Sequence, residues 1–458
     1  MNIKLHKNVF YDALIIIIDV ILIYFASVIS SKSLYFYLPS GELKSISAFI
    51  DVAILSYTFF MIFMLYAFEF YTKTIRSRYE ICLSVVIAVL ISSFATMIVE
   101  FILIDVVKIT SIMFFVIMAM ILSIFICFFK LLLLYIQKKT KGVARLLVIE
   151  SKEVENNLAR KIKYSYLELY ESWYIQIDVN NEAEISELMN NTFKEYESIF
   201  LSPDIPVNVR DLFISSAVSQ YKEIYILPDL YNISVMKNET VQFEDTPALR
   251  IKPFGLTKLQ SSIKRMVDVS VSFIGIILTF PIMVIVALFI KIDSKGPVIY
   301  KQQRVTVNQK KFNVYKFRTM RQDAEKHTGA VLATEDDPRI TKVGKVLRST
   351  RLDELPQFFN ILFGDMSIVG PRPERPFFVE QYLNEIENYD KRFFAKAGLT
   401  GLAQVYARYD TTPKDKTLYD LLYIKDYSFF QDIKLILLTL KIMFVKESSL
   451  GVRQKPNY

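Results

Sequence analysis

Four long apolar runs fill the first 137 residues, and they constrain the fold more than any other feature of the chain. They span 11–30, 46–67, 81–104 and 109–136. A helix needs about 20 predominantly apolar residues to cross a bilayer, and each run approaches or exceeds that length. Residues 1–137 are therefore expected to form a four-span α-helical membrane bundle. Asp19 and Asp51 interrupt the first two runs. Each lies close enough to an end to extend toward the interface. No polar constellation in the runs argues for a transport path, so the bundle reads as an anchor.

The connecting charges orient it. His6 and Lys7 precede the first run, Lys73, Arg76 and Arg78 fill the second connection, and Lys138, Lys139, Lys141 and Arg145 follow the fourth. The first and third connections are poorer in positive charge. The positive-inside rule then places both ends of the bundle, and everything after about residue 138, on the cytoplasmic side. The formal net charge of +8 suits an anionic membrane surface as well as nucleic acid. No recognised nucleic-acid-binding motif accompanies the basic stretches, so no nucleic-acid partner is expected. Cys82 and Cys127 both lie in apolar runs, and His6 and His327 are far apart. That argues against a disulfide framework and against a thiolate or histidine metal cluster.

Ordinary composition returns at 142–247, expected as a cytoplasmic α/β domain. Strand-like runs cover 144–150, 196–202, 212–218 and 223–229, and 182–193 has helical character. No G-x-G-x-x-G follows the first strand, so a structural or regulatory module is favoured over dinucleotide binding. Residues 248–263 read as a linker around the stretch 250–258.

The segment 267–290 is apolar enough to span, yet Lys264 and Arg265 precede it and Lys291 and Lys295 follow it. Pro281 interrupts the backbone hydrogen bonding in its second half. A kinked helix that enters and leaves by the cytoplasmic face reconciles these features. A fifth crossing would send the basic remainder outside. Next, 300–305 and 311–318 read as two strands joined by a turn at 307–310. In the second, Lys316 and Arg318 alternate with Tyr315 and Phe317, giving either a functional basic face or a solvated one. Residues 334–337 read as a loop and 340–350 as a short basic helix. The run 427–444 either lies in the interface plane or packs as a core helix.

Then come Asp353 and Glu354, side by side, with Arg348, Arg351, Arg372 and Arg375 nearby in sequence. Adjacent carboxylates repel, and their surroundings can drive their pKa values apart. One could attack as a nucleophile while its neighbour holds a divalent cation such as magnesium. The arginines could clamp phosphates in bidentate fashion. Acids and arginines beside a membrane suggest phosphate chemistry on a lipid. A salt-bridged surface is the rival reading.

The region from Lys264 onward resembles the bacterial sugar transferase family, the monotopic polyprenyl-phosphate glycosyl-1-phosphate transferases. The matching pieces, in order, are Lys264-Arg265 with Asp268, Pro281, "GPVIYKQQRVT", "FNVYKFRTM", "LRSTRLDELPQFFNILFGDMSIVGPRPE" and "GLTGLAQV". The four runs and a degenerate Rossmann-like middle domain resemble the family's long form. The resemblance implies an α+β membrane-associated catalytic domain over 264–458, with a re-entrant helix at about 267–290. It implies transfer of a sugar-1-phosphate, commonly a hexose-1-phosphate, from a UDP-sugar to undecaprenyl phosphate. The products would be undecaprenyl-diphosphate-sugar and UMP, at the bacterial inner membrane, opening capsule, exopolysaccharide or O-antigen synthesis.

The family's Asp-Glu dyad falls on Asp353, the implied nucleophile, and Glu354, an implied Mg2+ ligand. Its Pro-Arg-Pro element falls on Pro371, Arg372 and Pro373, with Arg375 close behind. Lys316, Arg318, Arg348, Arg351, Arg372 and Arg375 are the candidate phosphate-binding residues. Pro281, Pro356, Pro371 and Pro373 are the candidate structural prolines. Membrane lipid is an expected partner, and a homo-oligomer and polysaccharide-assembly proteins are left open. A transporter would need polar groups converging within the spans, and a non-catalytic scaffold would be favoured by a broken dyad. The donor sugar is not readable.

Overall fold

The computed structural model describes residues 9–35, 43–71, 78–104, 109–141, 144–152, 170–236, 238–321, 337–407 and 411–443. The charged connection 72–77, His6, His327, most of the expected loop at 334–337 and residues 408–410 lie outside the described residues. The chain divides into two compact units, Met1–Leu227 and Pro228–Tyr458.

The first unit opens with four helices, α1 (Val9–Tyr35), α2 (Leu43–Ala67), α3 (Arg78–Ile104) and α4 (Ile109–Lys141). α1, α3 and α4 are long and apolar enough to cross a membrane, and α2 holds a shorter apolar stretch, Val52–Ala67. Lipid offers little hydrophobic drive between helices, so close approach through small residues matters. Ala88, Ser92, Ser93 and Thr96 are buried on α3, and Tyr57 of α2 donates to Val89 O at 3.3 Å.

Asp19 corrects an expectation. It does not extend toward the interface but is fully buried, 2.6 Å from Lys130 of α4. Tyr71 donates to the same Asp19 oxygen at 2.8 Å, and Lys130 lies over the Phe70, Tyr71 and Phe129 rings. An ion in the bilayer interior is costly without a partner, and here the partner closes α1 onto α4.

Four parallel strands follow: β1 (Ala144–Ser151), β2 (Tyr170–Ile177), β3 (Ser198–Leu201) and β4 (Glu223–Ile226), in the spatial order β2-β1-β3-β4. The order reverses across β1, as in doubly wound α/β sheets. Leu147, Ile149, Ile199 and Leu201 form the core with Phe193 and Phe213. The expected strand at 212–218 is instead part of the helix Val207–Ser219. Its buried residues Val209, Phe213 and Ala217 recur every four positions, the period of a helix face.

The second unit starts with a short helix, Leu230–Val235, followed by the hairpin β5 (Glu239–Phe243) and β6 (Thr246–Arg250). A 36-residue helix, Lys258–Asp293, comes next, begun by a capping box between Thr257 and Gln260. It starts nine residues before the expected apolar segment and runs through Pro281 as one continuous helix. Antiparallel β7 (Ile299–Val305) and β8 (Lys311–Phe317) follow as expected. So does the basic helix, observed as Lys342–Ser349. Short strands β9 (Ser367–Val369) and β10 (Gly398–Thr400) pair in parallel. The helix Phe429–Met443 buries Leu435 and Leu438, so it packs as a core helix along that face.

Both ends of the long helix are fastened to this one unit. Lys264 is buried 2.6 Å from Asp432, and Arg265 donates to the carbonyls of Ile361 and Leu362 at 2.6 and 2.7 Å. Asp268 accepts from Ser367 Oγ and Ile368 N, each at 2.9 Å. Midway, the Phe358 ring lies 3.1 Å from where a Cβ on Gly275 would sit, so a side chain there would require the ring to give by a few tenths of an ångström. Near the far end, Met283, Val286 and Ile290 pack with Phe317 and Leu347. The opposite face exposes Phe273, Ile277, Leu278, Ile285, Leu288 and Ile292.

Candidate active site

The dyad sits on a short 3-10 turn, Leu352–Glu354, between two helices. Its first neighbour, Arg351, adopts φ +55°. A left-handed non-glycine residue costs about 1–3 kcal/mol and persists only where its surroundings enforce it. The turn reverses the chain out of the basic helix. Pro356 then opens the helix Gln357–Phe363 at its N-cap, where a missing amide is harmless. Buried Asn360 joins this helix to β8, accepting from Tyr315 N and donating to Asn313 O, both at 2.8 Å. That register sets Lys316 against the turn.

Lys316 Nζ lies 2.7 Å from Glu354 Oε1, and Arg372 approaches the same oxygen at 3.6 Å. Burial alone would raise the Glu354 carboxyl. Lys316 and Arg372, the Lys316 hydrogen bond and the field of Arg351 outweigh it and hold Glu354 well below the usual carboxylate range. Asp353 goes the other way. Burial and then the Glu354 charge push it up to about 6, against the pull of Lys316, Arg348 and Arg372. The two acids are thus driven apart, as division of labour requires.

Arg348 donates through Nε to Thr319 Oγ1 at 3.0 Å. Its helix can come that close because position 344 is glycine: a Cβ there would lie 2.1 Å from Thr319 O. Arg375 is the N-cap of the helix Pro376–Glu385. Arg318 is not part of this constellation. β8 ends at Phe317, the alternation ends with it, and the buried Arg318 guanidinium donates to the carbonyls of Ser294 and Lys295 at 2.8 and 2.9 Å. It ties down the end of the long helix. Pro281 lies in that helix, and Pro371 and Pro373 flank Arg372.

Magnesium is compatible with this donor set. Among the described residues no three or more histidine, cysteine or acidic groups gather as a metal cage. Two adjacent carboxylates still suit an ion that usually takes one or two protein oxygens and completes its shell with substrate phosphates and water.

The Bacterial sugar transferase family profile matches residues 259–446. A UDP-glucose:undecaprenyl-phosphate glucose-1-phosphate transferase of Klebsiella pneumoniae is 38% identical over 278 residues, 58% of this chain and 59% of that protein. A UDP-N-acetylgalactosamine-undecaprenyl-phosphate N-acetylgalactosaminephosphotransferase of Aeromonas hydrophila is 44% identical over 182 residues, 39% and 43% of the two chains. A galactosyl transferase of Streptococcus agalactiae serotype III is 32% identical over 314 residues, 62% and 69% of the two. The chain belongs to the bacterial sugar transferase family. It spans about half the length of the curated relatives it matches first. Its apolar helices make it a multi-pass protein of the inner membrane, with its soluble domains on the cytoplasmic side.

Proposed function

We propose that this protein moves a sugar-1-phosphate from a UDP-sugar to undecaprenyl phosphate through a covalent intermediate on Asp353. The observation that carries the reading is the split dyad: Glu354 locked as an anion by Lys316 and Arg372, Asp353 poised near neutrality beside it. In the first step an Asp353 carboxylate oxygen attacks the sugar-bearing phosphorus. The P–O bond of the diphosphate breaks and UMP leaves with its electron pair. In the second step a phosphate oxygen of the lipid attacks the same phosphorus. The acyl phosphate bond breaks and Asp353 is restored. Both steps exchange one phosphoryl linkage for another, and the covalent relay lets the polar donor and lipid acceptor use one site in turn.

Lys316, Arg348 and Arg372 would receive the phosphate oxygens and spread the charge of each transition state. Glu354, with Asp353 beside it, would hold the magnesium ion. Bound there, the ion would neutralise charge on the donor diphosphate.

A re-entrant long helix brings this site to the lipid. A straight helix of this length would reach about 54 Å, more than a bilayer's hydrocarbon core of about 30 Å. Yet its beginning, middle and end all pack on one folded unit, and only its outer face offers apolar side chains. Immersion of that face from the cytoplasmic side accounts for both facts. The relatives are named for transfer of glucose, N-acetylgalactosamine and galactose, which sets the panel of donor sugars to try. Membranes containing the protein should release UMP from one of a panel of UDP-sugars only when undecaprenyl phosphate is supplied for repeated turnover. No release from any of them would overturn the proposal.

A further inference from the structure

Pro371-Arg372-Pro373-Glu374 is an awkward stretch to hold still. Its two prolines have no amide hydrogen, so the backbone cannot be pinned through donors at those positions. It is pinned through its carbonyls instead. Pro371 O accepts from Gly398 N at 2.9 Å, and Glu374 O accepts from Val305 N at 3.0 Å. Between them, Arg372 O accepts from Arg392 Nη2 at 2.8 Å, and Pro373 O from Arg304 Nη1 at 3.0 Å. Four consecutive carbonyls are therefore held, two of them by guanidinium groups.

Those guanidiniums are themselves fixed. Arg392 is buried 2.9 Å from the equally buried Asp420, and its Nη1 donates to the Tyr389 hydroxyl. Arg304 is held by Gln302 Oε1, at 3.1 Å from Nε and 2.7 Å from Nη2, with Glu374 3.5 Å away. A buried ion pair usually gives no net gain in stability over apolar packing, so stability alone is a weak reason for one here. What the network does achieve is visible at its centre. The Arg372 backbone is fixed on both sides, while its side chain remains 46% exposed and reaches to 3.6 Å from Glu354.

We propose that Arg392 with Asp420, and Arg304 with Glu374, are positioning residues. They clamp the Pro371–Glu374 backbone so that Arg372 meets Glu354 and the substrate phosphates from a fixed base. The catalytic half of this statement rests on the transferase reading above; the clamp itself does not. Asp420→Asn removes the counter-charge. Arg392→Lys keeps that charge but loses the fork that reaches Asp420, Tyr389 and Arg372 O together.

The test uses the full chain in membranes, with two readouts. In otherwise wild-type protein, each substitution should lower kcat/KM by about 10- to 100-fold, as small misplacements of a catalytic group do. In an Arg372→Ala background, the same substitutions should cost less than about threefold, because residues acting through one another are not additive. Hydrogen exchange at the amides of Arg372, Glu374 and Arg375 should quicken in both variants. Losses that multiply in full in the Arg372→Ala background would overturn the positioning role, and unchanged exchange would overturn the clamp. If the buried variants fail to accumulate, Arg304→Gln carries the same cycle from the less buried side. Wild-type protein that transfers no sugar phosphate from any UDP-sugar would remove the transferase reading and leave the clamp to be judged on exchange.

Discussion

Lys316 Nζ and Glu354 Oε1 lie 2.7 Å apart, joining β8 to the turn that carries the dyad. The contact fixes which of two neighbouring acids keeps its charge. Lys316→Met should remove a cation that favours the anion of both acids and leave Glu354 with Arg372 and the field of Arg351. A loss of about 100-fold in kcat is expected, the scale on which a single pre-organised cation or donor contributes. Steady-state kinetics on Lys316→Met and Lys316→Arg would check it. Equal, near-wild-type rates for both would sink the assignment.

Acid should silence the enzyme through Asp353. Burial, and then Glu354, raise its carboxyl to about 6. Above that pH it is the anion needed for attack, and below it the proton blocks the lone pair. Glu354 stays ionised throughout this range because its cations hold it low. The value of kcat/KM, which reports the free enzyme, should fall about tenfold per unit below pH 6. A profile flat from pH 8 to 5 would count against Asp353 as the nucleophile.

Mass spectrometry of protein given donor alone should find a sugar-phosphate adduct on the peptide containing Asp353. Asp353→Asn should abolish both adduct and turnover. Glu354→Gln should be severely impaired, with a weaker dependence on magnesium. An adduct on Asp353→Asn, or none in rapidly quenched active wild type, would favour direct attack by the lipid phosphate.

Single cysteines at exposed positions Ser219 and Ser349, in a chain lacking Cys82 and Cys127, should both escape an impermeant thiol reagent in intact cells. Labelling at Ser349→Cys alone would mean that the long helix crosses the bilayer. Pro281→Leu restores an interior hydrogen bond and removes the ring's clash with the preceding turn, together worth about 3 kcal/mol in helix terms. It should keep the protein in the membrane while lowering activity and mixing its topology. Full activity with unchanged topology would show that the helix path does not depend on Pro281.

The parts of this fold that are local were legible in the sequence. Apolar runs gave the spans, alternation gave β7 and β8, and the adjacency of Asp353 and Glu354 needed no structure to be seen. Contacts between distant residues were not legible. Nothing near Asn360 announces that it will bridge Tyr315 and Asn313, and Arg392 and Asp420 each look like ordinary surface charges. The burial of Asp19 is hidden for the same reason, since an acid in an apolar run looks alike whether it reaches for water or pairs with a distant lysine. Alternation alone groups Arg318 with Lys316, whereas the strand ends one residue earlier, at Phe317. The segment 212–218 is a short apolar run interrupted only at Ser215 and Ser216, too short for its period to separate a helix face from a buried strand.

The Asp19–Lys130 pair bears on how the protein is made. The partners are 111 residues apart in the chain. At about 5–20 residues per second, roughly 6–22 seconds of synthesis separate the two. During that interval α1 carries an unmatched acid, so its final seating must await α4. The bundle is thus completed by its last helix, and a nascent chain stalled before Ile109 should be cleared by quality control faster than the same chain carrying Asp19→Asn.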